Sequence, residues 1–395
     1  MRILIVDDDN DSRFLLMQTL RRLGHEVISA VNGVEAWEVL EREEIGFIIS
    51  DWMMPRMDGL ELCRRIRAAR FPRYIYVILL TAKDNKNELI EGMKAGADDF
   101  LVKPFNVGEL DVRIKAGERV LRLERDLEER NRKLIRAYSR ISKDLDAAAR
   151  MQRSLLPQSP ATLSGLSFNW IFCPCSFVAG DIFSFFELDE HRIGFYLLDV
   201  AGHGVAAAML SMTLNKILSS MIKQEGASRS FMFNSSSHPY IDSPAILVHE
   251  LNQRFQSEDT LQYFTMVYGI TDTRDGRTRL VQAGHPSPIY QEANGRVSLI
   301  GTGGFPIGVL RDVEYEEKEF YLHKGDRLFI YSDGITECTN GEMGQFSTER
   351  LMRLIEGWRA IPLKELMRGI EQKLRLWRMD EGFDDDITLL AIERV

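Results

Sequence analysis

The sequence is poor in cysteine, with four in 395 residues. Cys63, Cys173, Cys175 and Cys338 are scattered, too few for a disulfide framework. The Cys-Pro-Cys at 173–175 lacks the two-residue spacer and second pair of a zinc site. All four therefore read as reduced thiols. A basic excess is also missing: 50 Lys+Arg stand against 59 Asp+Glu, a net charge of -9. That balance argues against a nucleic-acid footprint or an anionic-membrane surface. The longest apolar runs, at 74–80 and 204–210, fall well short of the roughly 18 residues that span a bilayer. The start, MRILIVDDD, is not a secretory signal. A cytoplasmic location is expected, with no membrane and no nucleic acid among the partners.

What is present is ordinary globular composition, 45% apolar with 12 prolines, and a length suited to two or three domains. Over residues 1–120, short apolar runs alternate with helical periodicity: ILIV (3–6), GFIIS (46–50), YIYVILLT (74–81) and DFLVKP (99–104). Such runs between helices predict a parallel, doubly wound α/β sheet covered on both faces. Its functional residues are expected at the carboxyl ends of the strands. Asp7, Asp8, Asp51, Thr81 and Lys103 all stand at such ends. Three carboxylates crowded together call for a hard cation, Mg²⁺. A lysine and a hydroxyl beside them suit a carboxylate that accepts a phosphoryl group.

Residues 121–156 change character. Val120, Leu127, Leu134, Ile141, Ala148 and Leu155 recur every seven positions, with Tyr138 and Leu145 on a second seam. Glu124, Asn131 and Gln152 interrupt that seam. The pattern predicts a helical linker that pairs with a copy of itself, a homodimer through a coiled coil; a single solvated helix is the alternative. Pro157 and Pro160 end it.

From 157 to 395 the apolar pattern alternates, with turns at 189–192, 274–276 and 294–295. Helices are expected at about 203–223 and 348–375, giving an antiparallel α+β domain, and 226–244 reads as a long serine-rich loop. Aspartates again sit where strands end: Asp181, Asp199, Asp333 and the run Asp384-Asp385-Asp386. Acids from separate segments suit a pair of Mg²⁺ or Mn²⁺ ions poised for attack on a phosphate ester. Softer metals are not expected, since no Cys or His stands at ligand spacing. His203 and His285 read as loop-stabilising hydrogen-bonders.

The motifs LIVDDD, SDWMMPRMDG, LLTA and DFLVKPF resemble the receiver domain of two-component response regulators. The resemblance implies a CheY-like five-stranded fold, phosphorylation of Asp51 by a cognate histidine kinase, and Mg²⁺ on Asp8, Asp51 and the Met53 carbonyl with Asp7 assisting. It also implies that Thr81 and Lys103 read the phosphoryl group and that Phe100 is the aromatic switch.

VAGDIF, DVAGHGVAAAM, FTMVYGI, QAGHPSPI, FPIGV, KGDRLFIYSDGITEC and DDDITLL resemble the SpoIIE-type branch of the PPM (protein phosphatase 2C-like) serine/threonine phosphatases, a β-sandwich flanked by helices. Carried over, Asp199 bridges two Mn²⁺ or Mg²⁺ ions and the Val200 carbonyl binds one. Asp333 and Asp385 hold the other, and Asp181 contacts the cluster; the assignment between Asp385 and Asp386 stays open by one register. Ala179 stands for a usual glycine, and Ser184 for a second aspartate found in many relatives. The segment AARMQRSLLP resembles the helix that leads into such domains. The implied function is a response regulator whose output dephosphorylates an anti-sigma-factor antagonist. The alternative is an inactive adaptor that binds a sigma factor or anti-sigma partner; a DNA-binding output lacks a basic recognition helix.

Overall fold

A computed structural model describes residues 1–69, 71–82, 86–227, 243–256, 262–301, 303–341, 344–379 and 381–395. These fall into two compact units, Met1–Arg140 and Ile141–Val395.

The first unit alternates β1 (Arg2–Val6), α1 (Asn10–Arg22), β2 (Glu26–Ala30), α2 (Gly33–Arg42), β3 (Phe47–Asp51), α3 (Gly59–Ala68), β4 (Tyr76–Thr81), α4 (Lys86–Ala95), β5 (Asp99–Val102) and the start of α5 (Val107–Leu155). The strands form one parallel sheet in the order β2-β1-β3-β4-β5; the apolar runs predict four of them, and β2, a half-exposed edge strand with a polar pattern, is the one they miss. Because successive side chains point to opposite faces, each strand feeds two cores. Leu4, Val6, Ile48, Val77 and Leu79 pack on Ala36, Leu40, Cys63 and Ile66 of α2 and α3. Ile3, Ile5, Ile49, Ile78 and Leu80 pack on Leu16 and Leu20 of α1 and on Leu110, Ile114 and Leu121 of α5. Asp9, Asn32 and Asp58 cap α1, α2 and α3 by accepting backbone N–H bonds in the first turn, each cap adding about 1 kcal/mol.

Helix α5 is continuous for 49 residues. No proline interrupts it, and Lys, Arg, Glu, Leu and Ala dominate it. Its middle presents Leu127, Leu134, Tyr138 and Ile141 to solvent.

The second unit adds β6 (Ala161–Leu163), β7 (Leu166–Cys173), β8 (Ile182–Glu187), β9 (Arg192–Val200), α6 (Val205–Ala227), α7 (Pro244–Arg254), β10 (Phe264–Asp272), β11 (Arg277–Ala283), β12 (Ile289–Gln291), β13 (Val297–Leu299), β14 (Glu317–Tyr321), β15 (Arg327–Tyr331), α8 (Asp333–Glu337), α9 (Thr348–Gly357), α10 (Leu363–Trp377) and β16 (Ile387–Arg394). Two antiparallel sheets result, β14-β11-β10-β9-β8 and β13-β12-β15-β16-β7-β6. They meet through a core in which Phe168 stacks on Phe185 at 4.1 Å between ring centroids. Leu214, Leu218, Leu247 and Leu251 of α6 and α7 join that core. Leu351, Ile355, Leu366 and Ile370 of α9 and α10 cover the other face of the six-stranded sheet.

Four expectations change. The single helix over 348–375 is two, α9 and α10, separated at 358–362, where Pro362 caps the second. Strand β8 starts at Ile182 rather than at 177, and α7 was not foreseen. Most of the serine-rich stretch, 228–242, lies outside the described residues. Finally, Val205–Ile222 within α6 is long and apolar enough to cross a membrane by length and composition. Its apolar residues are broken up by Ser, Thr, Asn and Lys, so no uninterrupted run reveals it. One side of this helix is core, with Leu214, Leu218 and Met221 buried.

Candidate functional site

Parallel pairing of β1, β3, β4 and β5 brings their carboxyl ends to one rim of the first unit. Asp7 follows β1, Asp51 ends β3, Thr81 ends β4 and Lys103 follows β5. The Lys103 ammonium lies 2.9 Å from Asp7 Oδ2 and 2.9 Å from Asp51 Oδ1. Its backbone N–H donates to the Thr81 carbonyl at 2.7 Å, tying the ends of β4 and β5. Ligand oxygens of Asp7, Asp8 and Asp51 all lie within 4.8 Å of one another. Asp7 and Thr81 are buried, Asp8 is exposed and Asp51 is half-buried. Burial pushes the Asp51 carboxyl up, and the Lys103 ammonium pulls it back. Burial works against the Lys103 charge too, but hydrogen bonds to Asp51 and Asp7 leave its pKa raised. The Met53 side chain is exposed on the β3–α3 loop. That loop closes at Gly59, where an added Cβ would fall 2.2 Å from the Asp51 carbonyl oxygen. Phe100 is half-buried, with the Arg113 guanidinium 5.9 Å from its ring and held by Asp99.

In the second unit, β9 and β15 end where β8 and β16 begin, because each pair is antiparallel. Asp181 precedes β8, Asp199 lies at the end of β9, Asp333 opens α8 after β15, and Asp385-Asp386 precede β16. The two sheets are joined at this edge through Asp386. Its carboxylate accepts the Cys175 N–H at 2.8 Å and the Gly180 N–H at 2.7 Å. The Ser332 hydroxyl donates to the Asp386 carbonyl at 3.1 Å and accepts from the Thr388 N–H at 3.0 Å. Gly334 allows that approach, since a Cβ there would fall 2.2 Å from the Asp386 carbonyl oxygen. The Val200 carbonyl lies against Gly180, 3.0 Å from where a Cβ would stand.

The carboxylates feel one another. Burial pushes Asp199 up to about 8, with the charges of Asp333 and Asp385 adding to it. Burial also raises Asp333, followed by repulsion from Asp385 and Glu337. Asp181 is driven well above the usual carboxylate range by burial, then by Asp199 and Asp386. It is 0% exposed, and neither of its carboxylate oxygens makes a hydrogen bond of regular geometry, although the Ser332 and Thr388 hydroxyls lie close enough to offset part of the effect of burial. A buried anion so poorly supplied with donors is costly, and a cation or a proton relieves it. Asp181, Asp199, Asp333 and Asp385 offer oxygens, the donor type that suits hard divalent ions.

Asp385 and Asp386 differ in role. Asp385 is exposed and faces Asp333, whereas Asp386 is buried and committed to backbone N–H groups. One sequence expectation is corrected here. Cys175 does stand near the acids, with its sulfur within 4.8 Å of Asp385 and Asp386 oxygens; the loop before β8 folds back onto the start of β16, a proximity that sequence spacing hides. Burial pushes that thiol up to about 12. The two histidines, expected as loop-stabilising hydrogen-bonders, differ from each other. His285 is buried, shares a 2.7 Å hydrogen bond with the Thr265 hydroxyl and is lowered by burial to about 3; His203 is exposed in the loop after β9. Ser184 lies within β8 opposite Tyr196.

Sequence reasoning missed Gln152. It reads as a flaw in an apolar seam, yet it is buried in the second unit. Its amide donates to the Ala179 carbonyl at 2.6 Å and accepts the Ala179 N–H at 3.0 Å, with the Ser211 hydroxyl 3.3 Å away. The last turn of α5 is thereby fastened two residues from Asp181. A lone glutamine in an apolar register just before a helix end was the available signal.

Comparison with known proteins agrees with this geometry. Residues 3–115 match the response regulator receiver domain, and residues 189–395 match the family described as Stage II sporulation protein E (SpoIIE). A chemotaxis protein CheY homolog of Campylobacter jejuni is 42% identical over 107 residues, 27% of this chain and 82% of that protein. Phosphoserine phosphatase RsbP of Bacillus subtilis is 27% identical over 197 residues, 50% of this chain but only 46% of that protein. Among solved structures, the SiaA-PP2C domain of Pseudomonas aeruginosa superposes with a TM-score of 0.55 at 24% identity, covering 65% of this chain and 98% of that one; this is likeness of fold. With its second unit matched over more than half of the chain, this protein belongs to the SpoIIE family and carries a response regulator receiver domain ahead of its PP2C-like phosphatase domain.

Proposed function

We propose that this protein is a metal-dependent phosphoserine/phosphothreonine protein phosphatase controlled by phosphorylation of Asp51. The observation that carries the reading is Asp181, a fully buried carboxylate with no hydrogen bond of regular geometry, crowded by Asp199 and Asp386. Asp181, Asp199, the Val200 carbonyl, Asp333 and Asp385 would hold a pair of Mn²⁺ or Mg²⁺ ions. Bound ions of this kind neutralise a phosphate ester and activate water for in-line attack. The chain's own residues do the rest. Asp386 and Ser332 fix the loops that carry Asp181 and Asp385, and Gly334 lets α8 begin against them. The intact set of acids favours an enzyme over an inactive adaptor.

In the receiver, Asp51 would accept a phosphoryl group from a histidine kinase, with Mg²⁺ on Asp7, Asp8, Asp51 and the Met53 carbonyl. Lys103 and Thr81 would then bind the new oxygens, and Phe100 would follow. The signal would pass along α5 to Gln152 and so to the strand entrance at Ala179–Asp181. The exposed stripe Leu127, Leu134, Tyr138 and Ile141 supports pairing of α5 with that of a second copy. The substrate is proposed to be a phosphorylated anti-sigma-factor antagonist in the cytoplasm, in line with the phosphoserine phosphatase activity named for RsbP.

The deciding measurement is phosphate release from a phosphoserine protein in Mn²⁺. Wild type should turn over, and Asp199→Ala should lose at least about a hundredfold in rate, as expected when an electrostatic anchor of the reacting group is removed. Equal rates would remove the enzyme reading.

A further inference from the structure

On the side of α9 and α10 away from the sheet lies a groove of about 600 Å³. The inner sides of these helices are spent on the core, with Leu351, Ile355, Leu366 and Leu374 fully buried. The groove side is built differently. Trp377 packs edge-on to Phe346 at 5.7 Å between centroids, and the Arg350 guanidinium lies 4.3 Å above the Trp377 ring. Leu376 and Met379 are 58% and 67% exposed beside it. Arg353 and Lys373 complete the walls, and among the described residues no carboxylate lines the groove, although Glu349 lies near Arg353. In a chain of net charge -9, three cations around exposed apolar side chains form a surface of the opposite sign, with an aromatic and Arg centre of the kind that anchors partners.

The wall of the groove is tied to the loops that carry two of the acids. The Trp377 indole donates to the Cys338 carbonyl at 3.1 Å, and Cys338 caps α8, whose first residue is Asp333. Five helical residues cover about 8 Å. The next side chain, Arg378, holds Asp384 at 2.9 Å, immediately before Asp385.

We infer that this groove docks an acidic, leucine-bearing segment of the phosphoprotein substrate, a conclusion that rests on the phosphatase reading. The apolar floor takes the leucine side chains, and Arg350, Arg353 and Lys373 pair with the acids. Complementary charge of this kind raises the association rate and the selectivity for partner over non-partner.

The test uses the full-length protein and two fluorescein-labelled phosphoserine peptides, one with a Glu/Leu tail and one with Lys in place of each Glu. In EDTA, fluorescence anisotropy should show the acidic tail binding at least about tenfold tighter, an advantage that shrinks with salt. The double variant Arg353→Glu, Lys373→Glu changes only exposed side chains; it should keep the wild-type melting temperature and lose the preference. In Mn²⁺ it should raise KM for the acidic peptide about tenfold, with kcat and the hydrolysis of p-nitrophenyl phosphate unchanged. Equal affinity of wild type for both peptides, or a variant that keeps the acidic preference, would overturn the inference. Failure of wild type to hydrolyse p-nitrophenyl phosphate would instead count against the phosphatase reading, while the anisotropy still decides the groove.

Discussion

Asp199 carries a proton at neutral pH unless a cation displaces it, because burial and its acidic neighbours hold its pKa at about 8. Its unfolded value is about 4. Between those limits the folded chain binds the extra proton, so the contribution of Asp199 to metal-free stability is fully present below about pH 4 and is lost as pH rises toward 8. Denaturant midpoints in EDTA should show that decline. Metal binding must release the proton, so apparent Mn²⁺ affinity should rise by up to about tenfold per pH unit below 8. Calorimetry at two pH values checks this, and an affinity indifferent to pH would contradict it. Gly334 offers a second residue-scale prediction. In Gly334→Ala the new methyl meets the Asp386 carbonyl oxygen at 2.2 Å, too close for any contact, so α8 or the Asp385 loop must shift. We expect a loss of about 1–3 kcal/mol in stability, as for overpacking, together with weaker Mn²⁺ binding. The Asp58-Gly59 and Asp333-Gly334 pairs were visible as motifs; why each must be glycine became visible only with the carbonyl of Asp51 or Asp386 lying against it.

At the scale of the element, α5 does two different things along its length. Its first turns pack Leu110, Ile114 and Leu121 on the receiver sheet, and its last turn buries Gln152 in the second unit. Replacing Gln152 by Ala leaves the Ala179 N–H and carbonyl without their side-chain partners, at a cost of about 1–3 kcal/mol. Thermal denaturation should record the loss, and Mn²⁺ affinity should fall with it if the clamp positions Asp181; Gln152→Glu, which sets a buried carboxylate against the Ala179 carbonyl, should be no better tolerated at neutral pH. Between those ends the exposed stripe predicts self-association. Leu134→Lys with Ile141→Lys should convert a dimer to a monomer by light scattering, and a monomeric wild type would defeat the dimer. The heptad spacing of Leu127, Leu134 and Ile141 was legible, and so was the helix. The role of Gln152 was not, since its partner is 27 residues away at Ala179.

For the whole molecule, the decisive comparison is turnover with and without beryllofluoride, which mimics a phosphoryl group on Asp51. A regulated enzyme should change rate by several-fold in one direction, as a coupling of about 1–3 kcal/mol implies. The change should vanish in Asp51→Asn, and an unchanged wild-type rate would separate receiver from output. The parallel sheet of the receiver was readable because its strands are apolar on both faces. The break between α9 and α10 was not, because 348–375 keeps a helical period across Pro362.

The sequence by itself determined the elements and the carboxylates: apolar periodicity set strands and helices, and short Asp-Gly motifs marked where they end. Only the tertiary structure decided which acids meet and in what protonation state, that Asp386 serves the backbone while Asp385 faces Asp333, and that Cys175 stands beside both. The physical reason is that burial and mutual repulsion depend on distances across two sheets, and linear spacing does not carry those distances.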